Sequence, residues 1–488
     1  MQAVQYKRPV GHEIERNDVQ RLVLASLADR PYAMYLLLRI RDSKLARSWL
    51  HRQCKNKRIA VSGARQGGSP HVFCIAFTWQ GLCELGLKNR VREETFIPEF
   101  RQGMNSPARA RALGDTDTST WEWGTKREPP IHMLCAVYVS DIEERAAWSN
   151  DGIHLRDLTE ECGFECVRCV PSQEWARHAP RYEPFGFSDG ISQPYIIGSD
   201  PAHASRFPLR DHIQPGEFLL GYPNEFGVLP ATPHVGAAYR GDLPPVPLSD
   251  DGDLGKNGSF LVVRELEQNV EEFEKLPAEV AACMVGRWKD GRPLIWYPAS
   301  TPIDRNKKQQ DVASGDDLAR PRDPSPDVAD VTKINDFTFY PHDMGGLRCP
   351  LGSHIRRSNP RDSRTDPQLN VTPEDSIRLS NQHRILRRGR PFLDDKEREG
   401  LFFMCLNTNI DRQFEFVQQA WVNNAQFVQP SGEADPIAGA GNGHSGTFTM
   451  RSGPHREVQR GLASYVTVRG GAYFFMPGIK ALNYLATL

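Results

Sequence analysis

The chain reads as an α+β protein made of two similar halves. Three observations predict this. A short apolar strand followed by a helical stretch occurs three times in each half. The strands alternate or run apolar and the helices after them are amphipathic, so each unit buries a face against a common core. The stretches between the units are rich in Pro and Gly, or polar, as loops are.

In the first half, Tyr35–Ile40 precedes Ser43–Leu50, Val72–Phe77 precedes Trp79–Leu87, and Met133–Val139 precedes the acidic Asp141–Arg145. In the second, Ser259–Arg264 precedes Glu267–Lys275, Leu401–Leu406 precedes Arg412–Gln419, and Tyr473–Met476 precedes Ile479–Leu485. Residues 195–255 read as long loops, and the polar residues 308–332 as an exposed insertion. The expected division is 1–200 and 201–488, with loop insertions at about 201–255 and 308–332. The repeat is architectural, not a short-period solenoid.

Composition excludes several classes. The 488 residues are 39% hydrophobic and 25% charged, with a formal net charge of −1. Nothing draws the whole molecule to nucleic acid or to a membrane surface. No apolar run approaches the ~20 residues of a membrane span, and the first ten residues have no signal-peptide core. The ten cysteines are irregularly spaced, and Cys74, Cys135 and Cys405 lie in apolar runs. Buried thiols in a reducing, cytoplasmic compartment fit this usage better than a disulfide framework.

Some chemical signals are weak. Cys162, Cys166 and Cys169 have the spacing of an iron–sulfur triad, but Cys166–Val170 reads as a strand. Gly439–Gly443 is glycine-rich yet follows no strand, so it reads as a loop. No CxxC pair and no HExxH helix supports zinc, and no GxSxG elbow is present.

Three segments are stronger. Glu183–Pro194 holds the carboxylate of Asp189 between Gly186 and Gly190. Flanking glycines allow positive φ and a close approach to a flat ligand, and a poorly solvated carboxylate there can take and return a proton. The competing reading is a tight turn in which Asp189 caps its own backbone. Cys349–Arg361 contains His354 followed by Arg356 and Arg357. That pattern suits an iron-ligating imidazole beside guanidinium groups that pair carboxylates. His383–Phe392 carries the compact basic run Arg384–Arg390. By itself it also reads as a solvated basic loop or a phosphate site.

Together these segments resemble the dye-decolorizing peroxidases, a haem peroxidase family. The likeness includes a GxxDG motif at Gly186–Gly190 and extends to Gly400–Phe416, Arg469–Pro477 and Asn17–Gln20. It covers nearly the whole chain and is weakest at 195–255. The length resembles the larger fungal and bacterial members. The resemblance implies two ferredoxin-like halves, antiparallel sheets flanked by helices, with haem b held mainly by the second half. It implies that His354 is the proximal iron ligand and that Asp189 moves the peroxide proton. Arg387 would offset charge on the leaving oxygen, with Arg388 the alternative. Arg356, Gly190, Ile191, Leu401 and Phe403 would contact the haem, Leu401 and Phe403 as walls of the distal pocket. Asp435 or Asp411 would accept the other N–H of His354. Trp421, Tyr340, Tyr465 and Tyr473 are candidates for relaying electrons to bulky reductants, against a plainer reading as core aromatics.

The implied activity is reduction of hydrogen peroxide and oxidation of dyes, phenols or other small aromatic reductants through a ferryl state, by a monomer or homodimer. An aspartate base predicts an acidic optimum. The alternative is a haem-binding, transport or iron-release protein without turnover; a chlorite-dismutase-like enzyme or an encapsulated partner would be further rivals. One departure stands out: Gly389 occupies a position where compact members have asparagine.

Overall fold

A computed structural model describes residues 13–63, 69–174, 182–298, 334–427, 432–439, 446–452 and 455–488. The insertion at 308–332 and residues 440–443 of the glycine-rich stretch lie outside them.

The first half runs β1 (Tyr32–Ile40), α1 (Ser43–Lys55), β2 (His71–Phe77), β3 (Met133–Val139), α2 (Ile142–Ala147), α3 (Ile153–Glu161) and β4 (Phe164–Pro171). The second contains β5 (Ser259–Gln268), α4 (Ala278–Val285), α5 (His354–Ser358), β6 (Leu386–Arg387), β7 (Arg390–Leu393), β8 (Glu399–Asn407), β9 (Val466–Met476) and α6 (Ile479–Ala486). Both halves are ferredoxin-like, and they share one nine-stranded sheet ordered β6–β8–β5–β9–β2–β3–β1–β4, with β7 also on β8. Every ladder in it is antiparallel. The halves join where Phe475 of β9 pairs with Phe77 of β2.

Local chemistry explains the elements. Asp42 caps α1 by accepting the Leu45 N–H at 2.9 Å, and Ala46, Trp49 and Leu50 form its buried stripe. In β1, Met34, Leu36 and Leu38 feed one core layer while Ala33, Tyr35 and Leu37 feed the layer behind the sheet. Both faces are covered, which is why this strand reads as a continuous apolar run. No helix among the described residues is long and apolar enough to cross a membrane.

Two boundaries differ from the sequence expectation. Glu267 and Gln268 continue β5, because Glu267 pairs with Gly400 and Thr467, and Gln268 with Val466. The helix begins only at Val270, after the Asn269 side chain accepts the Glu272 N–H at 3.2 Å. The helix expected after β8 is π-helical, over Asp411–Glu415 and Val417–Val422, with the Glu415 N–H bonded to the Ile410 carbonyl. Such wide turns are frequent at functional sites.

The sheet also curls. Beyond the end of β4, Ser172 pairs with Phe392 of β7, and the Gln173 N–H donates to the Pro391 carbonyl at 2.8 Å. Arg390 donates to the carbonyls of Arg30 and Leu27 at 2.9 and 3.0 Å, and Tyr35 stacks on Phe402 at 4.3 Å. The far edges of the two halves therefore meet. The loop leaving β4, which carries Asp189, is thereby set beside β6, which carries Arg387.

Candidate active site

The distal wall starts from the Glu183–Pro194 loop. Gly186 and Gly190 adopt φ of 83° and 77°, values that L side chains rarely take. The Glu183 carboxylate accepts the N–H groups of Phe185 and Phe187 at 3.0 and 2.9 Å and the Gln268 amide at 2.6 Å. Loss of hydration raises its pKa, against those donors. Glu183 thus ties the loop to β5, a role its sequence context did not signal. Asp189 accepts its own loop's Gly190 N–H at 2.6 Å, as the turn reading expects. Its carboxylate also lies 3.6 Å from the Arg387 guanidinium. Gln193 fastens the loop to β6 by accepting the Arg387 N–H at 3.2 Å.

Asp189 and Arg387 line one cavity of about 580 Å³, together with Gly190, Ile191, Leu401 and Phe403. Arg388 lines the same cavity, and the two arginines differ in their partners. Arg388 donates to the carbonyls of Leu22, Val23 and Arg387, and burial presses its pKa down to about 10. Its hydrogen-bonding groups face the chain, whereas Arg387 is directed at Asp189. Gly389 has its own reason: a Cβ there would lie 2.5 Å from the Phe402 carbonyl oxygen. No side chain fits between β6 and β8 in this backbone.

On the side that the resemblance makes proximal, His354 opens α5 and is not among the residues lining that cavity. Its Nδ1 lies 2.9 Å from Asp435 Oδ2, while Asp435 Oδ1 accepts the N–H groups of Ile437 and Ala438 at 2.9 and 2.8 Å. Burial alone would raise the pKa of Asp435, but His354 and the two amides hold it below the usual carboxylate range. Burial likewise opposes a charged His354, and Asp435 outweighs it, so the imidazole's pKa is raised. In the neutral imidazole, the ionised Asp435 draws the hydrogen to Nδ1 and Nε2 keeps a lone pair. The His354 side chain keeps 32% of its surface open although Asp435 is fully buried.

Other expectations are corrected. Asp411 is not the histidine's partner: it is 68% exposed and pairs with Arg109. Arg356 does not face the cavity. It is buried, donates to the carbonyls of Cys349 and Asp343 and to Ser363, and lies 4.0 Å above the Phe339 ring. It organises the turn before α5. Trp421, Tyr465 and Tyr473 are buried, and Tyr340 is half-buried. The Tyr473 hydroxyl donates to Glu415 at 2.7 Å, and Trp421 packs edge-on against His383. These are core contacts rather than surface display.

The residues present fit a planar, anionic, iron-bearing cofactor. Arg287 and Arg361 are both buried; Arg287 Nη2 and Arg361 Nε have no hydrogen-bond partner among the described residues. Burial, reinforced by Arg361 and Arg387, presses the Arg287 pKa down to about 9, and Arg361 is pressed to about 10. Unpaired buried N–H groups on cations are costly unless an anion meets them. The carboxylates of a cofactor seated beside these two side chains would satisfy both. Neither arginine stands among the haem contacts that the family resemblance implies.

Solved structures share the fold. The crystal structure of a fungal DyP-type peroxidase from Auricularia auricula-judae superposes with a TM-score of 0.71, covering 98% of this chain and 100% of that one at 22% identity. An ancestral D-type dye-decolorizing peroxidase gives 0.69, covering 97% and 99% at 24% identity. Two ferredoxin-like halves closed into one sheet carry a histidine–carboxylate pair and an aspartate–arginine pair, the side chains that the resemblance to haem peroxidases implies. Residues 240–437 match the family description "Dyp-type peroxidase, C-terminal". The dye-decolorizing peroxidase msp1 of Mycetinis scorodonius is 28% identical over 453 residues, 84% of this chain and 75% of that protein. A dye-decolorizing peroxidase of Auricularia auricula-judae is 29% identical over 451 residues, covering 84% and 74%. These matches support the dye-decolorizing peroxidase family for this chain.

Proposed function

We propose that the protein uses haem b to reduce hydrogen peroxide and oxidise dyes, phenols or other small aromatic molecules, best at acidic pH. The observation that carries this is the Asp189–Arg387 pair, 3.6 Å apart in the lining of a cavity that Leu401 and Phe403 also line. Haem binding alone requires neither group. One related structure is a complex of a dye-decolorizing peroxidase with 2,6-dimethoxyphenol, which supports a phenolic reductant here.

His354 Nε2 would hold the iron, and Arg287 and Arg361 would meet the anionic edge. When bound, the haem would supply the redox centre through which two electrons pass from the aromatic reductant to peroxide. Asp435, kept ionised, leaves His354 electron-rich. Asp189 takes a proton from one peroxide oxygen and returns it to the other, so a single carboxylate serves as base and then acid. Arg387 offsets the negative charge that develops on the departing oxygen. Leu401 and Phe403 exclude water from that exchange. The cytoplasmic setting we favour rests on ten unpaired cysteines.

The test is an optical spectrum of the haem-loaded protein before and after one equivalent of hydrogen peroxide, for wild type and Asp189→Asn. A Soret change in the wild type that is slowed or lost in the variant supports the assignment. Bound haem that ignores peroxide in both indicates a carrier, and failure to bind haem overturns the reading altogether.

A further inference from the structure

Away from the cavity, three elements of the first half bring together side chains suited to a metal. His71 is the first residue of β2, Glu144 lies in α2, and His154 lies in the first turn of α3. Glu144 Oε1 is 2.5 Å from His71 Nδ1 and 3.4 Å from His154 Nε2. One ligand-capable atom from each residue lies within 4.8 Å of the others. None of the three lines the haem-side cavity.

We propose that His71, Glu144 and His154 form a binding site for a zinc-class divalent cation, with water completing the coordination. The donor set argues for the metal class. Two imidazoles and one carboxylate suit zinc and its transition-metal neighbours, whereas magnesium and calcium favour all-oxygen sites. The spacing argues for geometry. Ligand atoms about 2.0–2.1 Å from a tetrahedral zinc stand about 3.3 Å from one another. Separations of 2.5 and 3.4 Å, with none beyond 4.8 Å, reach that arrangement through small side-chain rotations.

The surroundings argue for preorganisation. The Trp148 ring packs edge-on against His71 at 5.3 Å and tilted against His154 at 5.1 Å, and Phe73 meets His71 at 5.2 Å. This aromatic wall fixes both imidazoles and leaves them facing one carboxylate oxygen. His71 and Glu144 side chains are 14% and 15% exposed and His154 is 35% exposed, so a fourth position opens to solvent beside His154. An ion there would cross-link β2 to the two short helices α2 and α3.

The experiment uses untagged, haem-loaded protein freed of loose metal with a chelator, equilibrated with Zn²⁺, desalted and assayed for zinc separately from haem iron. Wild type is expected to retain about one zinc per chain, and Zn²⁺ to raise its thermal midpoint. Millimolar Mg²⁺ should give no such shift. His154→Ala and Glu144→Gln are expected to weaken zinc binding by at least about 100-fold, more than loss of an outer-sphere partner costs. His154 is at a helix start and partly exposed, so its variant keeps the fold, checked by an unchanged Soret band and circular dichroism. Wild-type zinc at background, or zinc held equally by wild type and both variants, overturns the proposal.

Discussion

The two walls of the haem-side site are built on opposite principles. On the proximal wall, Asp435 is fully buried, its Oδ1 is held by two amides and its Oδ2 by His354. On the distal wall, Asp189 and Arg387 stand 3.6 Å apart, beyond a direct hydrogen bond, with the cavity before them. The first arrangement holds a ligand in one orientation and one tautomer. The second leaves hydrogen-bonding capacity for a small molecule entering between the groups. A metal ligand gains from rigidity, whereas a proton shuttle must exchange partners within one turnover.

The comparison breaks most severely if the mobile proton carrier is removed. Asp189→Asn keeps shape but cannot accept the proton, so peroxide-dependent turnover should fall by about 10²–10⁴-fold with haem content unchanged. Stopped-flow measurement of the peroxide-driven Soret change checks this; an unchanged rate would return Asp189 to the role of a turn residue. Arg387→Leu should cost about 10²–10³-fold in the same assay. Arg388→Leu serves as its contrast and should lower thermal stability instead, since three carbonyls lose their donor.

Asp435→Ala tests the rigid wall. It should lower haem affinity or turnover by about 10–100-fold and perturb the spectrum of the bound haem, because His354 loses the group that orients it.

The smallest effect distinguishes the two walls by the sign of their pH response. Glu183 has a raised folded pKa, so its contribution to stability is full below the usual glutamate value of 4.5 and is lost as pH rises through the folded pKa. Asp435 has a lowered pKa, so its contribution is present above the ordinary 3.8 and lost as pH falls. Glu183→Gln has no such titration. Its thermal midpoint relative to wild type should therefore rise as the pH rises above the ordinary 4.5. A constant difference would show that Glu183 does not titrate in that window.

Much of this was legible in the sequence because its cause is local. The glycines of the GxxDG motif mark positive φ wherever the loop is placed. Asp42 caps α1 with its own side chain, just before Ser43, where the sequence reading starts that helix. Other features depended on partners distant along the chain. Arg387 and Arg388 are adjacent and chemically identical, and only the carbonyls of Leu22 and Val23 against the carboxylate of Asp189 separate them. Asp435 and Asp411 were equal candidates until 81 residues of chain folded back to bring one to His354. His71 lies 73 residues from Glu144, a separation that no spacing rule for metal ligands covers. Gly389, a puzzle as a departure from the family pattern, follows from the closeness of the Phe402 carbonyl.

The sequence by itself determined the element types, the duplicated order of strands and helices, and the chemical identity of the groups available for catalysis. These follow from side-chain periodicity and backbone preference, which act over a few residues. Tertiary structure alone decided which groups face one another. The closure of β4 onto β7 sets the Asp189 loop beside Arg387, and the return of the chain at 435 sets a carboxylate behind His354. Both rest on long-range backbone pairing and burial, whose outcome depends on the packing of the whole sheet rather than on any one segment.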